Sequence, residues 1–244
     1  MGCQLRVKGD FVNSEHYEIV TQGAQSLNEW REIVLNQHVQ LDLSDCDLAG
    51  FDLAGAKLGN ALLTNSNLKD TKLSYANLAN ADLSGANLEN CDLGRASLES
   101  CSLSGANLYN ANLFWADVKN SNVSNCNLRN SRLMRTCFVA SNLTGSDCSQ
   151  STMIEVDFRN ADLRNANFRN SNMNGADMSR SVMEGADFQY AMIRDSHWIM
   201  ADMRGANYSN ASLYRVDMTM AKYDESTLFP PGFDPEYSPQ DNDY

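Results

Sequence analysis

The chain lacks the short motifs that mark most enzyme active sites. It has no phosphate-binding glycine loop, no HExxH zinc motif and no CxxC pair, and only three of its 244 residues are histidines. It has no run of about 20 apolar residues, the length that a membrane-spanning helix requires. Its first 12 residues contain no apolar core of signal-peptide length. We therefore expect no enzyme, no cofactor, no bound metal and no membrane association.

Positive charge is also scarce. The chain has 19 Lys and Arg against 31 Asp and Glu, a net charge of −12. Residues 1–40 hold 3 basic and 5 acidic groups and residues 229–244 hold 0 and 4, which leaves 16 and 22, or −6, for residues 41–228. Direct binding to nucleic acids needs clustered positive charge to neutralise phosphates. We expect no such binding.

A five-residue unit repeats through most of the chain. It reads as a small residue, Asp or Asn, a large apolar residue and two turn-forming residues. The apolar position, here called the centre, recurs every five residues from Leu43 to Leu228, which makes 38 units in one register. A period of five suits a short extended piece followed by a tight turn. Centre and small residue are two apart, so both point inward, and the Gly and Asn that often follow tolerate the positive φ of tight turns.

Units such as Ala81-Asp82-Leu83-Ser84-Gly85 and 161–165 resemble those of the pentapeptide repeat family, and the resemblance covers about three quarters of the chain. It implies an all-β fold, a right-handed quadrilateral β-solenoid with four units in each coil. At four units per coil, 38 units make about 9.5 coils, and the inter-strand spacing of ~4.8 Å gives a rod about 45 Å long. Residues 20 apart then stack on one of four faces, numbered here from the centres Leu43, Leu48, Leu53 and Leu58.

The segments outside the repeat are interpreted as end caps. Residues 1–40 form an N-terminal cap with at least one helix, residues 41–228 the solenoid, and residues 229–244 a lid with Phe229 and Phe233 followed by an acidic tail. Ser26 and Glu29 fit a capping box, which predicts a helix over about 27–36. Its apolar residues at helical spacing are Leu27, Trp30, Val34 and Leu35, with Trp30 covering the first coil. A shorter helix around 15–22 would end at Gly23.

The seven cysteines follow the repeat rather than a disulfide framework. Cys46, Cys91, Cys101 and Cys126 sit at the small position and Cys148 at a centre, so they are predicted to be buried packing residues. An odd number of cysteines without a secretion signal favours a reducing compartment. We expect a cytoplasmic protein.

Stacked columns can build sites from residues 20 apart. On the fourth face, Asp157, Asp177, His197 and Asp217 follow one another just before the centres. They could share a cation, but Asp and Asn occupy this position on every face, which favours hydrogen bonds to the local turn. Along the centres, leucine gives way to methionine and aromatic residues towards the C-terminus, which we interpret as packing.

The third face carries the stronger candidate. Phe114, Met134 and Ile154 follow the centres of three successive coils, and Trp115 lies between Arg95 and Arg135, each 20 residues away. Apolar residues rimmed by arginine are typical of a binding surface. Cross-coil packing that only stiffens the face explains the same pattern, and the sequence does not decide between the two.

The favoured function is a non-enzymatic scaffold that presents a rigid surface to an unidentified protein partner, with a homo-oligomer as one form of partnership. The family resemblance also implies an alternative, because some pentapeptide repeat proteins mimic DNA, bind DNA gyrase or a topoisomerase, and protect it from inhibitors. The modest charge of −6 on residues 41–228 argues against mimicry.

Overall fold

Nearly every pentapeptide from residue 41 to residue 220 forms a short extended piece and a two-residue turn. The computed structural model describes residues 14–236. Parallel bridges join residues 20 apart, from Asp42 with Leu62 to Asp202 with Lys222, so four pentapeptides complete one coil. The N–H of each centre donates to the coil above, as Leu83 N does to Ser102 O at 2.7 Å. Hydrogen bonds therefore run along all four faces of the rod.

Regular elements longer than a single bridge are few among the described residues. They are the helices α1 (Ser14–Thr21) and α2 (Ala24–Glu32), a 3₁₀ turn (Val34–Asn36), and the strands β1 (Met192–Arg194) and β2 (Ser212–Tyr214), which pair in parallel. Within residues 14–236, no helix has the length and apolar character needed to cross a membrane.

The centres up to Met218 are buried, as the repeat predicts, except that Leu213 is half-buried, whereas the predicted centre Tyr223 is 37% exposed. Leu83 and Leu88, for example, are fully buried centres, and Ala81 and Ala86 are the buried small residues of the same units. The outward Asp or Asn closes the turn, as where Asp82 Oδ1 accepts the N–H of Ser84 at 3.0 Å. The second turn residue has φ near +60° in nearly every unit, which explains the preference for Gly and Asn there.

The core changes from leucine to aromatic side chains along the rod. Phe168, Phe188 and Tyr208 stack in successive coils with ring centroids 4.8 Å apart. Phe229 continues the stack at 5.8 Å from Tyr208, and Phe233 stacks on Phe229 at 5.3 Å. The rings of Phe168, Phe188 and Tyr208 are nearly parallel, with interplanar angles of 10° and 11°, which suits the stacking of flat side chains on successive coils.

The register slips by one residue in the last coil, and the prediction that Leu228 is a centre is wrong. Leu228 pairs with Asn207, 21 residues away, and its side chain is 49% exposed. A turn with one extra residue causes the slip; it closes through Thr227 N to Asp224 O at 3.0 Å. The slip turns Leu228 outward and brings the ring of Phe229 onto the aromatic stack.

The N-terminal helix differs from the predicted one in both ends and capping. It begins after Gly23, which has φ +96° and provides the N-cap, and no side chain caps it. Ser26 therefore lies inside the helix, and Glu29 Oε1 accepts from Gln25 Nε2 at 2.9 Å instead of forming a capping box. The helix ends at Glu32 because Ile33 is extended.

The apolar residues of the cap divide into two groups. Leu27 is fully buried and Trp30 packs partly buried against the core. Val34 and Leu35 lie beyond the helix and are 76% and 86% exposed, so the pattern that joined them to Leu27 does not describe their packing. Residues 1–13 of the predicted cap, which include Cys3, and residues 237–244 of the predicted acidic tail lie outside the described residues.

The cysteines provide a test of the register. Cys46, Cys91, Cys101, Cys126 and Cys148 are buried and Cys137 is half-buried. Burial raises the pKa of Cys101 and of Cys126 to about 12, so few reactive thiolates form at neutral pH. We expect a thiol reagent to label Cys137 well before the five buried thiols, as measured by peptide mass spectrometry on native protein. Rapid labelling of all six without denaturant would contradict the register.

Candidate functional site

Two adjacent columns on the third face bring the predicted residues together. Phe114, Met134 and Ile154 occupy the first turn position of successive coils and are all half-buried. The second turn position holds the exposed column Tyr75, Arg95, Trp115, Arg135 and Glu155, all with φ between 55° and 60°. These eight residues are called the third-face ladder below. Its backbone is held by hydrogen bonds such as Trp115 N to Met134 O at 3.1 Å.

Trp115 is the centre of the ladder. Its side chain is 50% exposed, and its ring meets that of Phe114 edge-on with centroids 6.3 Å apart. The guanidinium carbon of Arg135 lies 5.5 Å from the Trp115 ring centroid. Arg135 Nε also donates to Glu155 Oε2 at 2.5 Å, and this hydrogen bond lowers the pKa of Glu155. The indole is thus held on two sides while one half of it faces solvent.

Arg95 occupies the opposite side of Trp115 along the rod. Its guanidinium carbon lies 5.7 Å from the ring centroid of Tyr75, which is itself 63% exposed. Among residues 14–236, Arg95 forms no ion pair, and neither does Arg132 at the neighbouring outward position. The ladder therefore alternates aromatic rings with guanidinium groups and keeps positive charge available.

The sequence identified six members of the ladder but not all of their contacts. The structure shows that Phe114, Met134 and Ile154 are half-buried, and that Trp115 is the most exposed of the four apolar residues that the sequence identified. Glu155, which fixes Arg135, was missed. The 20-residue spacing from Arg135 was the signal that could have found it.

The carboxylates of the acidic column on the fourth face accept hydrogen bonds from the backbone of their own turns. Asp157 Oδ1 accepts the N–H of Arg159 at 3.1 Å, and Asp177 Oδ1 accepts that of Ser179 at 3.0 Å. Arg159 also pairs with both carboxylates, at 2.6 and 3.7 Å. In the described part of the chain, no three His, Cys, Asp or Glu side chains are grouped so as to hold a metal ion.

Comparison with protein families identifies the repeat. The profile of the pentapeptide repeats matches five overlapping stretches, residues 42–78, 76–113, 111–147, 141–180 and 161–197. The chain belongs to the pentapeptide repeat family. Membership implies the right-handed quadrilateral β-solenoid, in agreement with the 20-residue coil. Comparison with curated proteins gives no match.

Several solved structures are similar to the chain. HetL from the cyanobacterium Nostoc, described as involved in heterocyst differentiation regulation, is 28% identical, with 79% of this chain and 86% of HetL covered and a TM-score of 0.49. QnrB1, a plasmid-mediated fluoroquinolone resistance protein, is 16% identical, with 73% and 90% covered and a TM-score of 0.44. A pentapeptide repeat protein from the Arabidopsis thaliana thylakoid lumen is 31% identical over 43% of this chain and 63% of its own, with a TM-score of 0.21.

Proposed function

We propose that this pentapeptide repeat protein is a non-enzymatic cytoplasmic scaffold of about 9.5 coils that binds a protein partner through the third-face ladder. The observation that carries the proposal is Trp115, a half-exposed indole between two arginines on a face built of hydrogen-bonded coils. The six described cysteines are free, which supports a reducing compartment.

The residue types of the ladder suit an interface. Tryptophan and arginine are the side chains that most often dominate binding energy at protein interfaces. Trp115 is already held by Phe114 and Arg135, so a partner that covers it immobilises few additional side-chain rotamers. The half-buried side chains of Phe114, Met134 and Ile154 lie beside it and add apolar surface for a partner to contact.

The charges of the ladder indicate the chemistry of the partner. Arg95 and Arg135 are two coils apart, about 9.6 Å at the usual inter-strand spacing. Arg95 has no ion pair among the described residues, and the pair of Arg135 with Glu155 is solvent-exposed, so it contributes little and leaves Arg135 able to bind another carboxylate. A helix that carries acidic residues at positions i and i+7, about 10.5 Å apart, and an apolar residue between them matches Arg95, Trp115 and Arg135. We therefore propose an acidic amphipathic helix as the partner's contact segment.

The carboxylates of the rod do not favour the DNA-mimic alternative. Several outward aspartates are paired with an arginine two residues later, at 2.5–2.6 Å: Asp157 with Arg159, Asp162 with Arg164, and Asp202 with Arg204. A duplex mimic needs rows of uncompensated negative charge. These pairs compensate part of the negative charge of the C-terminal coils.

The double variant Trp115→Asn and Met134→Ser tests the proposal. Asn and Ser are common at the second and first turn positions of this chain, so the fold accepts both. We expect the partner to bind at least tenfold more weakly, while the melting temperature changes by no more than a few degrees. Affinity is measured by surface plasmon resonance with the partner isolated on wild-type protein.

Tyr190→Asn is the matched control. Tyr190 has the same left-handed backbone, is 51% exposed, and lies 5.7 Å from the guanidinium carbon of Arg169, but it is on the second face. Its replacement should leave binding unchanged. If the double variant unfolds many degrees earlier, the ladder is structural packing; if it stays folded and binds normally, the partner uses another surface.

A further inference from the structure

An open cavity of about 490 Å³ lies where the N-terminal cap meets the rod. The cap contributes residues 31, 32 and 37–40, and the fourth face contributes Lys57, Gly59, Asn60 and Asn77. Most of these side chains are polar, with several amides among them. Glu32 is the one acidic side chain among the described lining residues, and it pairs with Lys57.

Arg31 stands out in the wall of this cavity. Its side chain comes from the last turn of α2 and is only 9% exposed. Nη1 donates to Val39 O at 2.5 Å and to Asn36 O at 3.1 Å, which fastens the chain after the helix. Nη2 is buried and has no acceptor in the part of the chain that the structure describes. Anchoring the segment after the helix therefore explains the position of Nη1, but it does not explain why Nη2 is buried without an acceptor.

The charge of Arg31 is as unusual as its hydrogen bonding. Within residues 14–236, it forms no ion pair with a carboxylate. It donates to the two carbonyls, its guanidinium carbon lies 5.5 Å from the centroid of the Trp30 ring, and it interacts electrostatically with His16. Buried charges are normally paired, because removing them from water without compensation is costly. Burial lowers the pKa of Arg31, but an arginine remains charged at neutral pH. A counter-anion would supply both the missing acceptor and the missing charge.

We propose that this cavity binds an oxyanion, a phosphate or carboxylate group, with Arg31 as its charged donor. A guanidinium fork matches the planar or tetrahedral oxygens of such groups. Gln37, Asn60 and Asn77 line the same space, and their side-chain amides would supply further donors. Because the cavity is formed by both the cap and the rod, the bound anion would also hold the cap in place.

Calorimetric titration of the full-length protein tests the site. Inorganic phosphate and malonate are titrated separately, at constant ionic strength set with chloride. We expect saturable one-to-one binding of at least one probe. Binding of phosphate alone indicates a phosphate-bearing ligand, and binding of malonate alone indicates a carboxylate. Binding of both supports a general oxyanion site, and binding of neither overturns the proposal.

Variants decide whether Arg31 is responsible. Arg31→Met should weaken binding at least tenfold. Arg31→Lys can still reach the carbonyls of Asn36 and Val39, so it protects the fold while removing the free half of the fork, and it should also weaken binding. Glu32→Gln, which removes the acidic group of the cavity, should tighten binding several-fold.

Arg132→Met is the matched control for these variants, because Arg132 is an exposed arginine with no ion pair in the described chain on a different face. It should bind the anion as wild type does. Equal binding by wild type and both Arg31 variants would overturn the assignment. The result is independent of the third-face ladder, so either proposal can fail alone.

Discussion

Leu88→Asp is expected to prevent the chain from folding. Leu88 is a fully buried centre in the leucine part of the core, and the coils above and below place Leu68 and Leu108 against it. A carboxylate there would have no partner and no water, which costs several kcal/mol. Each coil is stabilised by its contacts with the neighbouring coils, so disrupting one coil in the middle of the rod also destabilises the coils on both sides. Circular dichroism and size-exclusion chromatography should show an unfolded or aggregated protein.

A carboxylate is tolerated just one position away from Leu88, because that position faces solvent. Glu89 carries a carboxylate one position later, where it accepts a salt bridge from Lys69 at 2.9 Å. Tyr109 occupies the same column one coil on and is 38% exposed. Tyr109→Asp should therefore fold and melt close to wild type. If both aspartate variants fold equally well, the inward and outward assignment is wrong.

Phe188→Ala is the second substitution with a large expected effect. The ring of Phe188 is fully buried between those of Phe168 and Tyr208, with both centroid distances at 4.8 Å. Truncation of a buried phenylalanine leaves a cavity and typically costs about 3–5 kcal/mol. We expect a loss of this size in urea unfolding monitored by circular dichroism.

Phe188→Leu separates ring stacking from burial. Leucine keeps most of the apolar volume and removes the aromatic contacts, which are worth about 0.5–1.5 kcal/mol for each pair beyond burial. The leucine variant should therefore lie between wild type and the alanine variant. An alanine variant that loses less than about 1 kcal/mol would show that the stack is loosely packed.

Most of the rod could be predicted because the same five-residue pattern recurs in nearly every unit. Nearly every unit has the small residue and the large centre at the same spacing, so the register is clear even where a single unit departs from the pattern. The burial of Leu83, Ala86 and Cys126 follows from that rule alone. The coil of four units came from the family resemblance, and bridges between residues 20 apart confirm it.

The two ends could not be predicted in the same way, because each has a local signal that tertiary contacts override. Ser26 and Glu29 fit a capping box, yet the helix begins three residues earlier, with Gly23 as its N-cap. Leu228 fits the period, yet an extra residue in the turn before it allows Phe229 to stack on Tyr208. A pattern of five residues contains no information about such long-range contacts.

The candidate site shows a similar division. The 20-residue spacing of the coils predicts that Trp115 lies between Arg95 and Arg135 on one face. It could not show that the rings of Phe114 and Trp115 meet edge to face, or that Glu155 pairs with Arg135, because side-chain rotamers and cross-coil contacts decide these points. The sequence also contains no signal for Arg31, since the burial and the missing acceptor of its guanidinium depend on which residues the fold places around it.

Photocrosslinking from two opposite faces tests the central claim most directly. Benzoylphenylalanine is placed at Trp115 on the third face and, in a separate protein, at Ser104, half a coil away on the first face. Each protein is irradiated with the partner isolated on wild-type protein. We expect an adduct from position 115 that diminishes when Arg95→Glu is added, and none from position 104. An adduct from position 104 alone, or equal adducts from both, would contradict it.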